Sequence, residues 1–173
     1  HKKDLFDDEA KADYGPAEHQ IEQINLDCLH DLGFNGEGIY VSVIDAGFRG
    51  MDTISYFDSA FIENRIIDTY DFLDGDANVY QHSSHGTAVS SCIFAESNGP
   101  SPISATAVEV DVALYVSENP GSETIIEEFD LVLALERADS VGADIATISL
   151  GYTNFDNPAA VSYTHLRAHE TID

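Results

Sequence analysis

The chain has 173 residues, and its 32 acidic side chains outnumber 7 basic ones, for a formal net charge of −25. This length fits one domain, and 43% hydrophobic residues are enough to form a core, which argues against a disordered chain. No apolar run approaches the roughly 18 residues that a membrane-spanning helix needs. Nucleic acid is excluded as a partner because phosphate binding depends on Lys and Arg, which are scarce here.

The acidic residues are unevenly distributed. Residues 66–136 contain 13 Asp or Glu and neither Lys nor Arg. Carboxylates without basic neighbours repel one another unless ions screen them, so we expect bound calcium or a saline medium. The alternative is an acidic surface that water alone solvates.

The two cysteines form no CxxC pair and no zinc-binding spacing. Cys28 falls on an apolar helical stripe and Cys92 lies among small and apolar residues. We therefore predict two buried thiols rather than a disulfide.

Helical and strand patterns alternate along the chain. In order, they predict a helix between Pro16 and Gly33 and strands at 38–45 and 65–72, then a helix at 85–95, a strand at 108–116, a helix at 123–140 and a strand at 143–150. The 123–140 helix begins with an apolar stripe of Ile125, Ile126, Phe129, Val132 and Leu133. This alternation predicts an α/β fold, a parallel sheet with helices on both faces.

Two polar residues follow predicted elements at positions suited to catalysis. Asp45 ends an apolar strand, so its carboxylate should emerge at the carboxyl edge of the sheet, where open parallel sheets bind ligands. His85 opens a helix whose small residues allow close packing on the same sheet. A carboxylate beside an imidazole fixes its tautomer and leaves Nε2 free as a general base. A structural ion pair is the alternative for these two residues taken alone.

Three segments resemble, in the same order, motifs of the subtilisin-like serine proteases. Residues 36–47 resemble the segment around the catalytic aspartate, and His85-Gly-Thr-Ala-Val resembles the catalytic-histidine motif. Residues 142–151 resemble the substrate-binding strand. The resemblance covers residues 17 to about 157, and some details are similar to secreted subtilases of Bacteroidetes-type bacteria. It implies the N-terminal part of a subtilisin-like fold.

The resemblance implies a role for several residues. Asp45 would orient the imidazole, and His85 would act as general base and acid. Ser149, Leu150 and Gly151 would line the primary specificity pocket and pair by backbone with an extended peptide or protein substrate. The chain departs from the family at Ser83-Ser84, where many members have a glycine.

The family's nucleophile motif, Gly-Thr-Ser, and its oxyanion asparagine are not found in the sequence. The family places both after the substrate-binding strand, where residues 161–173 look unlike it and resemble translated adapter sequence. We therefore expect 1–14 to be a linker or frayed end, 15–160 the N-terminal part of the peptidase domain, and 161–173 an atypical, non-native tail. The chain would be a piece of a longer precursor and inert as given.

The resemblance implies a secreted serine endopeptidase that hydrolyses peptide bonds with an Asp-His-Ser triad. A pseudoprotease whose peptide groove binds without cutting is the alternative. A third interpretation is metal-dependent hydrolysis through His82 and His85, although the adjacent Glu of the HExxH arrangement is missing.

A loop rich in acidic residues precedes His85. Its oxygen-bearing side chains alternate around a glycine, a pattern that can wrap calcium. Some calcium-stabilised subtilases have a similar loop, and this resemblance implies four ligands, which are Asp71, Asp74, Asp76 and Asn78. The alternative is a solvated turn, in which the same residue types are favoured.

Overall fold

Four parallel strands form the central sheet of the computed structural model, which describes residues 13–152 and 155–157. The strands are β1 (Tyr40–Asp45), β2 (Ile66–Asp71), β5 (Asp111–Val116) and β6 (Ile145–Ile148), and a separate antiparallel pair is formed by β3 (Glu96–Ser97) and β4 (Ile103–Ser104). The sheet order is β2-β5-β1-β6. The central strands β1 and β5 are mostly apolar and are buried along nearly their whole length, as expected for parallel strands that are covered on both faces.

Helices pack on both faces of this sheet, as predicted from the alternating pattern. The helices of the chain are α1 (Glu18–Gln23), α2 (Leu26–His30), α3 (Asp58–Ile62), α4 (His85–Phe94) and α5 (Ile125–Val141), of which α4 and α5 contact the strands. One face packs against Phe48, Phe57 and Phe94, which form the larger core with Val43 and Leu114. The α/β fold class with a parallel sheet is therefore confirmed.

The opposite face of the sheet is covered by α5. Ile44 and Tyr115 pack there against Ala134 and Ala138, whose small side chains let the helix approach closely. Arg137 also anchors this helix.

The anchor is a bidentate ion pair between α5 and the edge strand β2. Arg137 Nε donates to Asp68 Oδ2 at 2.7 Å, and a terminal nitrogen donates to Oδ1 at 2.8 Å. The Tyr115 hydroxyl donates to the same carboxylate at 2.6 Å. These hydrogen bonds from Arg137 and Tyr115 outweigh the burial of Asp68 and lower its pKa.

The predicted helix between Pro16 and Gly33 is broken in two. Asn25 has φ +56°, a left-handed conformation that separates α1 from α2. Because the break interrupts the apolar stripe, Ile21 is buried while Leu32 is exposed. The prediction of buried thiols is wrong, since both Cys28 and Cys92 are exposed, and both are free.

The apolar stripe predicted at the start of the long helix is exposed. Ile126 and Phe129 each have 63% of their surface accessible, and Val132 has 52%. Instead, α5 buries Glu127 and its alanines. The sheet therefore has an uncovered apolar flank along α5 and the edge strand β6, where Ile145 is also exposed.

Two predicted regions fall largely outside the described residues. The proposed linker 1–14 is described only at residues 13 and 14, and the proposed tail 161–173 is not described at all. Within the described ranges, no helix is long and apolar enough to cross a membrane.

Candidate active site

Asp45 ends β1 at the carboxyl edge of the sheet and is completely buried. Its Oδ1 accepts a hydrogen bond from the backbone N–H of Ala46 at 2.7 Å. The Asp45 carbonyl accepts the backbone N–H of Ser117 at 3.2 Å, which ties the ends of β1 and β5 together. The carboxylate is thus held rigidly in one orientation.

His85 is the first residue of α4, and its imidazole faces that carboxylate. The Nδ1 atom lies 2.9 Å from Asp45 Oδ1 and 3.0 Å from Oδ2. With the proton on Nδ1, the ring donates to Asp45, and Nε2 is left as the basic atom. The His85 side chain is 53% exposed, so the ring remains accessible to a reacting group. The predicted Asp45–His85 pair is therefore formed in the structure.

Backbone hydrogen bonds join the turn after Asp45 to the loop before His85. The N–H of Gly86 donates to the carbonyl of Gly47 at 3.0 Å, and that of Ser83 donates to the Ala46 carbonyl at 3.2 Å. In return, the Arg49 N–H donates to the Ser83 carbonyl at 2.9 Å. The unusual serine in this loop is therefore part of the network that positions both side chains.

Two glycines allow this close approach. A Cβ on Gly47 would lie 2.4 Å from the Gln81 carbonyl oxygen, and this glycine also has φ +135°. A Cβ on Gly86 would lie 2.6 Å from the Gly47 oxygen and 2.9 Å from the Asp45 Cβ. Only glycine fits at either position without displacing the strand from the helix.

The predicted substrate-binding residues Ser149, Leu150 and Gly151 follow β6. Ile44 pairs with Ile148, so Ser149 lies level with Asp45 at the same edge of the sheet. β6 ends the strand order, and among the described residues no strand pairs with its outer side. The position suits backbone pairing with an extended peptide, but substrate contact by these three residues stays a prediction.

Sequence reasoning missed three partly or wholly buried carboxylates near the Asp45–His85 pair. Glu118, Glu123 and Glu127 each have one carboxylate oxygen that is buried without a hydrogen-bond partner. Burial, followed by repulsion from Glu123, Glu127 and Asp45, raises the pKa of Glu118 to about 7, while His85 opposes the rise. The sequence could have indicated Glu118, because it comes two residues after the end of β5, just as the turn that contains Gly47 comes directly after β1.

The four predicted calcium ligands lie in one loop, where two of them are close together and two form turns. Asp71 is buried and lies near Asp74. One carboxylate oxygen of each of these residues and one ring nitrogen of His82 all lie within 4.8 Å of one another. In contrast, Asp76 Oδ1 accepts the Asn78 N–H at 2.8 Å, and Asn78 Oδ1 accepts a backbone N–H at 3.3 Å. These are Asx turns, so both the turn and the calcium interpretations stay open.

The hypothesis of metal-dependent hydrolysis through His82 and His85 is wrong. His82 precedes α4 and has φ +56°, so the two imidazoles do not share a helical face. Their ring nitrogens have different partners: His85 bonds to Asp45, and His82 bonds to Asp74.

Comparison with known proteins agrees with this geometry. The profile of the Subtilase family, Peptidase_S8, matches residues 36–171. A curated relative, the thermophilic serine proteinase of Bacillus sp. (strain AK1), is 27% identical over 139 residues, which are 80% of this chain and 31% of the relative.

Solved structures of two proteases have the same fold. MycP1 with its N-terminal propeptide removed matches with a TM-score of 0.57 at 19% identity, covering 80% of this chain and 38% of MycP1. The CspB protease of Clostridium perfringens matches with a TM-score of 0.53 at 20% identity, covering 81% of this chain and 34% of CspB. The chain thus spans about a third of the length of these relatives. With the family profile matching most of its residues, the chain belongs to the subtilase family of serine peptidases.

Proposed function

We propose that this chain supplies the aspartate and histidine of a serine endopeptidase whose nucleophilic serine lies outside these 173 residues. The observation that carries the proposal is the contact of His85 Nδ1 with both carboxylate oxygens of Asp45, at 2.9 and 3.0 Å. This contact holds the imidazole in the tautomer whose Nε2 accepts a proton.

Each residue has one task in this reaction. His85 Nε2 takes the proton of the attacking hydroxyl and later returns it to the leaving amine. Asp45 stabilises the imidazolium that forms between these steps, and its burial strengthens that interaction. Ser149, Leu150 and Gly151 bind an extended peptide or protein substrate along the free side of the sheet.

Within the described residues, no hydroxyl is hydrogen-bonded to His85 Nε2. A chain without the nucleophile forms no acyl-enzyme, and the missing oxyanion donor costs a further roughly 10²- to 10³-fold in rate. The acidic composition and the family resemblance support a secreted enzyme. Its origin in a Bacteroidetes-type bacterium stays a prediction.

A fluorophosphonate probe tests this function. The 173-residue chain should stay unlabelled, whereas a protein extended to the length of its relatives should be labelled at a serine downstream of Gly151. Changing His85 to Ala in the extended protein should abolish labelling without unfolding it. Stoichiometric labelling of the 173-residue chain would contradict the proposal. A folded, extended protein that resists the probe would instead support a pseudoprotease that binds peptides at the edge of the sheet.

A further inference from the structure

Three glutamates beside the candidate active site have no positive charge near them. Glu118 comes two residues after β5, and Glu123 and Glu127 stand just before and within the first turn of α5. Each has one carboxylate oxygen that is buried and has no hydrogen-bond partner. Within the described residues none of them forms an ion pair, and residues 66–136 contain neither Lys nor Arg. This glutamate cluster therefore carries negative charge that no described side chain neutralises.

Glu127 is the most deeply buried member of the glutamate cluster, with only 2% of its surface exposed. The hydroxyls of Ser122 and Thr124 donate to its Oε1 at 3.0 and 3.4 Å, so this oxygen serves the start of α5. Its Oε2 is buried without a hydrogen-bond partner. Because a buried, unpaired carboxylate oxygen is costly, Oε2 indicates a hydrogen-bond donor that a ligand supplies.

The raised pKa of Glu118 reflects how close the three carboxylates are. Burial is the largest cause of the rise, and repulsion by the charges of Glu123 and Glu127 comes next. A bound cation that carries N–H groups offsets the repulsion and gives the unpaired oxygens donors. Protonation of the carboxylates offsets the repulsion alone, because each new O–H then needs an acceptor of its own.

Tyr152 joins the glutamate cluster to the predicted substrate-binding residues. It directly follows Gly151, and its hydroxyl donates to the backbone carbonyl of Glu127 at 3.3 Å. Burial, followed by the charges of Glu118 and Glu127, raises the pKa of this hydroxyl, which therefore lies close to the cluster. A peptide that pairs with residues 149–151 consequently carries its side chains past the three glutamates.

We propose that the glutamate cluster binds one basic side chain, Lys or Arg, of the peptide substrate, a role that rests on the proposed function of this sheet edge. Arg should bind more tightly than Lys, because its planar guanidinium donates to two carboxylates at once. One unpaired oxygen on each glutamate suits N–H donors of this kind. Calcium instead takes about six to eight oxygen ligands, more than the cluster leaves unpaired.

Peptide binding to the extended protein tests the inference without any need for catalysis. The protein carries His85→Ala, so that it binds peptides and does not cut them. Fluorescence anisotropy measures the Kd of dye-labelled peptides in which Arg, Lys, norleucine or Glu occupies one position that is moved along the sequence. At one position, Arg should lower Kd roughly 30-fold or more relative to norleucine, since norleucine leaves the buried carboxylates unpaired. Lys should lower Kd less, and Glu should raise it.

Variants of the cluster assign this preference to its residues. Glu118→Gln and Glu123→Gln, at partly exposed positions, should each lose most of the advantage of Arg while the norleucine peptide binds as before. Glu136→Gln is the matched control, because Glu136 is exposed further along α5, and it should keep the full advantage.

The outcomes separate this inference from the proposed function. Equal affinity for the Arg and norleucine peptides at every position would overturn it, as would a preference for Arg that all three variants retain. An extended protein that the fluorophosphonate labels but that shows no charge preference would overturn only the role of the glutamate cluster. A protein that resists the probe and still prefers Arg would contradict only the proposed catalysis and support the basic side-chain site.

Discussion

The backbone N–H of Gly86 donates to the carbonyl oxygen of Gly47 at 3.0 Å, which places the first turn of α4 directly against the turn that follows Asp45. An N–H at the start of a helix has no partner within the helix. This bond therefore gives the Gly86 N–H an acceptor and also fixes the position of the neighbouring His85. The geometry of the Asp45–His85 pair thus depends on a backbone contact between two glycines.

Changing Gly86 to Ala tests this dependence. The added Cβ would lie 2.6 Å from the Gly47 oxygen and 2.8 Å from the Phe48 ring, so the helix must move away from β1. Overpacking of this kind costs about 1–3 kcal/mol of unfolding free energy, which a lowered Tm measures. Gly121→Ala is the matched control, because its Cβ would meet its neighbour at 3.4 Å. An unchanged Tm and a retained Asp45–His85 contact in a crystal structure of Gly86→Ala would contradict the argument.

Changing Asp45 to Asn tests the role of the carboxylate. In the extended protein, we expect kcat to fall roughly 10⁴-fold, because the amide no longer fixes the imidazole tautomer. Peptide hydrolysis measures the loss, and KM should change far less. A fall of only a few fold would show that Asp45 is a structural partner of His85.

The predicted calcium site is tested by Asp76→Asn, which leaves Asp71, Asp74 and His82 intact. If the four oxygen ligands gather around calcium, the ion stabilises the wild-type fold by about 2.7 kcal/mol when free calcium is 100 times its dissociation constant. The variant should lose most of the resulting rise in Tm. A solvated Asx turn instead predicts that wild type and variant melt alike with and without calcium.

Glu118 should make stability depend on pH. Its pKa of about 7 in the folded chain exceeds the ordinary value of 4.5, so the folded state binds more protons between these limits. Stability therefore falls as pH rises from 4.5 through 7, and the loss persists above that range.

Glu118→Gln removes this contribution. Because water partly screens the side chain, we expect the substitution to raise the free energy of unfolding at pH 8 by only about 1 kcal/mol. The variant should therefore have a higher Tm than wild type at pH 8 and the same Tm at pH 4. Melting curves across this range measure the difference. Parallel profiles for wild type and variant would contradict a pKa of Glu118 that burial and neighbouring carboxylates raise.

The strands and the positions of Asp45 and His85 follow from local sequence. The apolar, β-branched run of β1 is long enough only for a buried strand, and a residue that ends such a strand must emerge at the sheet edge. The sequence alone therefore assigns Asp45 and His85 to one edge of the sheet. The family resemblance added their roles.

Burial and side-chain partners depended on the tertiary structure. Periodicity predicts that a helix has an apolar face, but which residues are covered depends on the elements that pack there, so Phe129 and Cys28 are exposed. The order β2-β5-β1-β6 places β2 beside β5, although residues 72–110 of the sequence lie between them, and so brings Asp68 under α5, where it meets Arg137. Such contacts arise because strands distant in sequence become neighbours in the sheet, a relationship that no local pattern encodes.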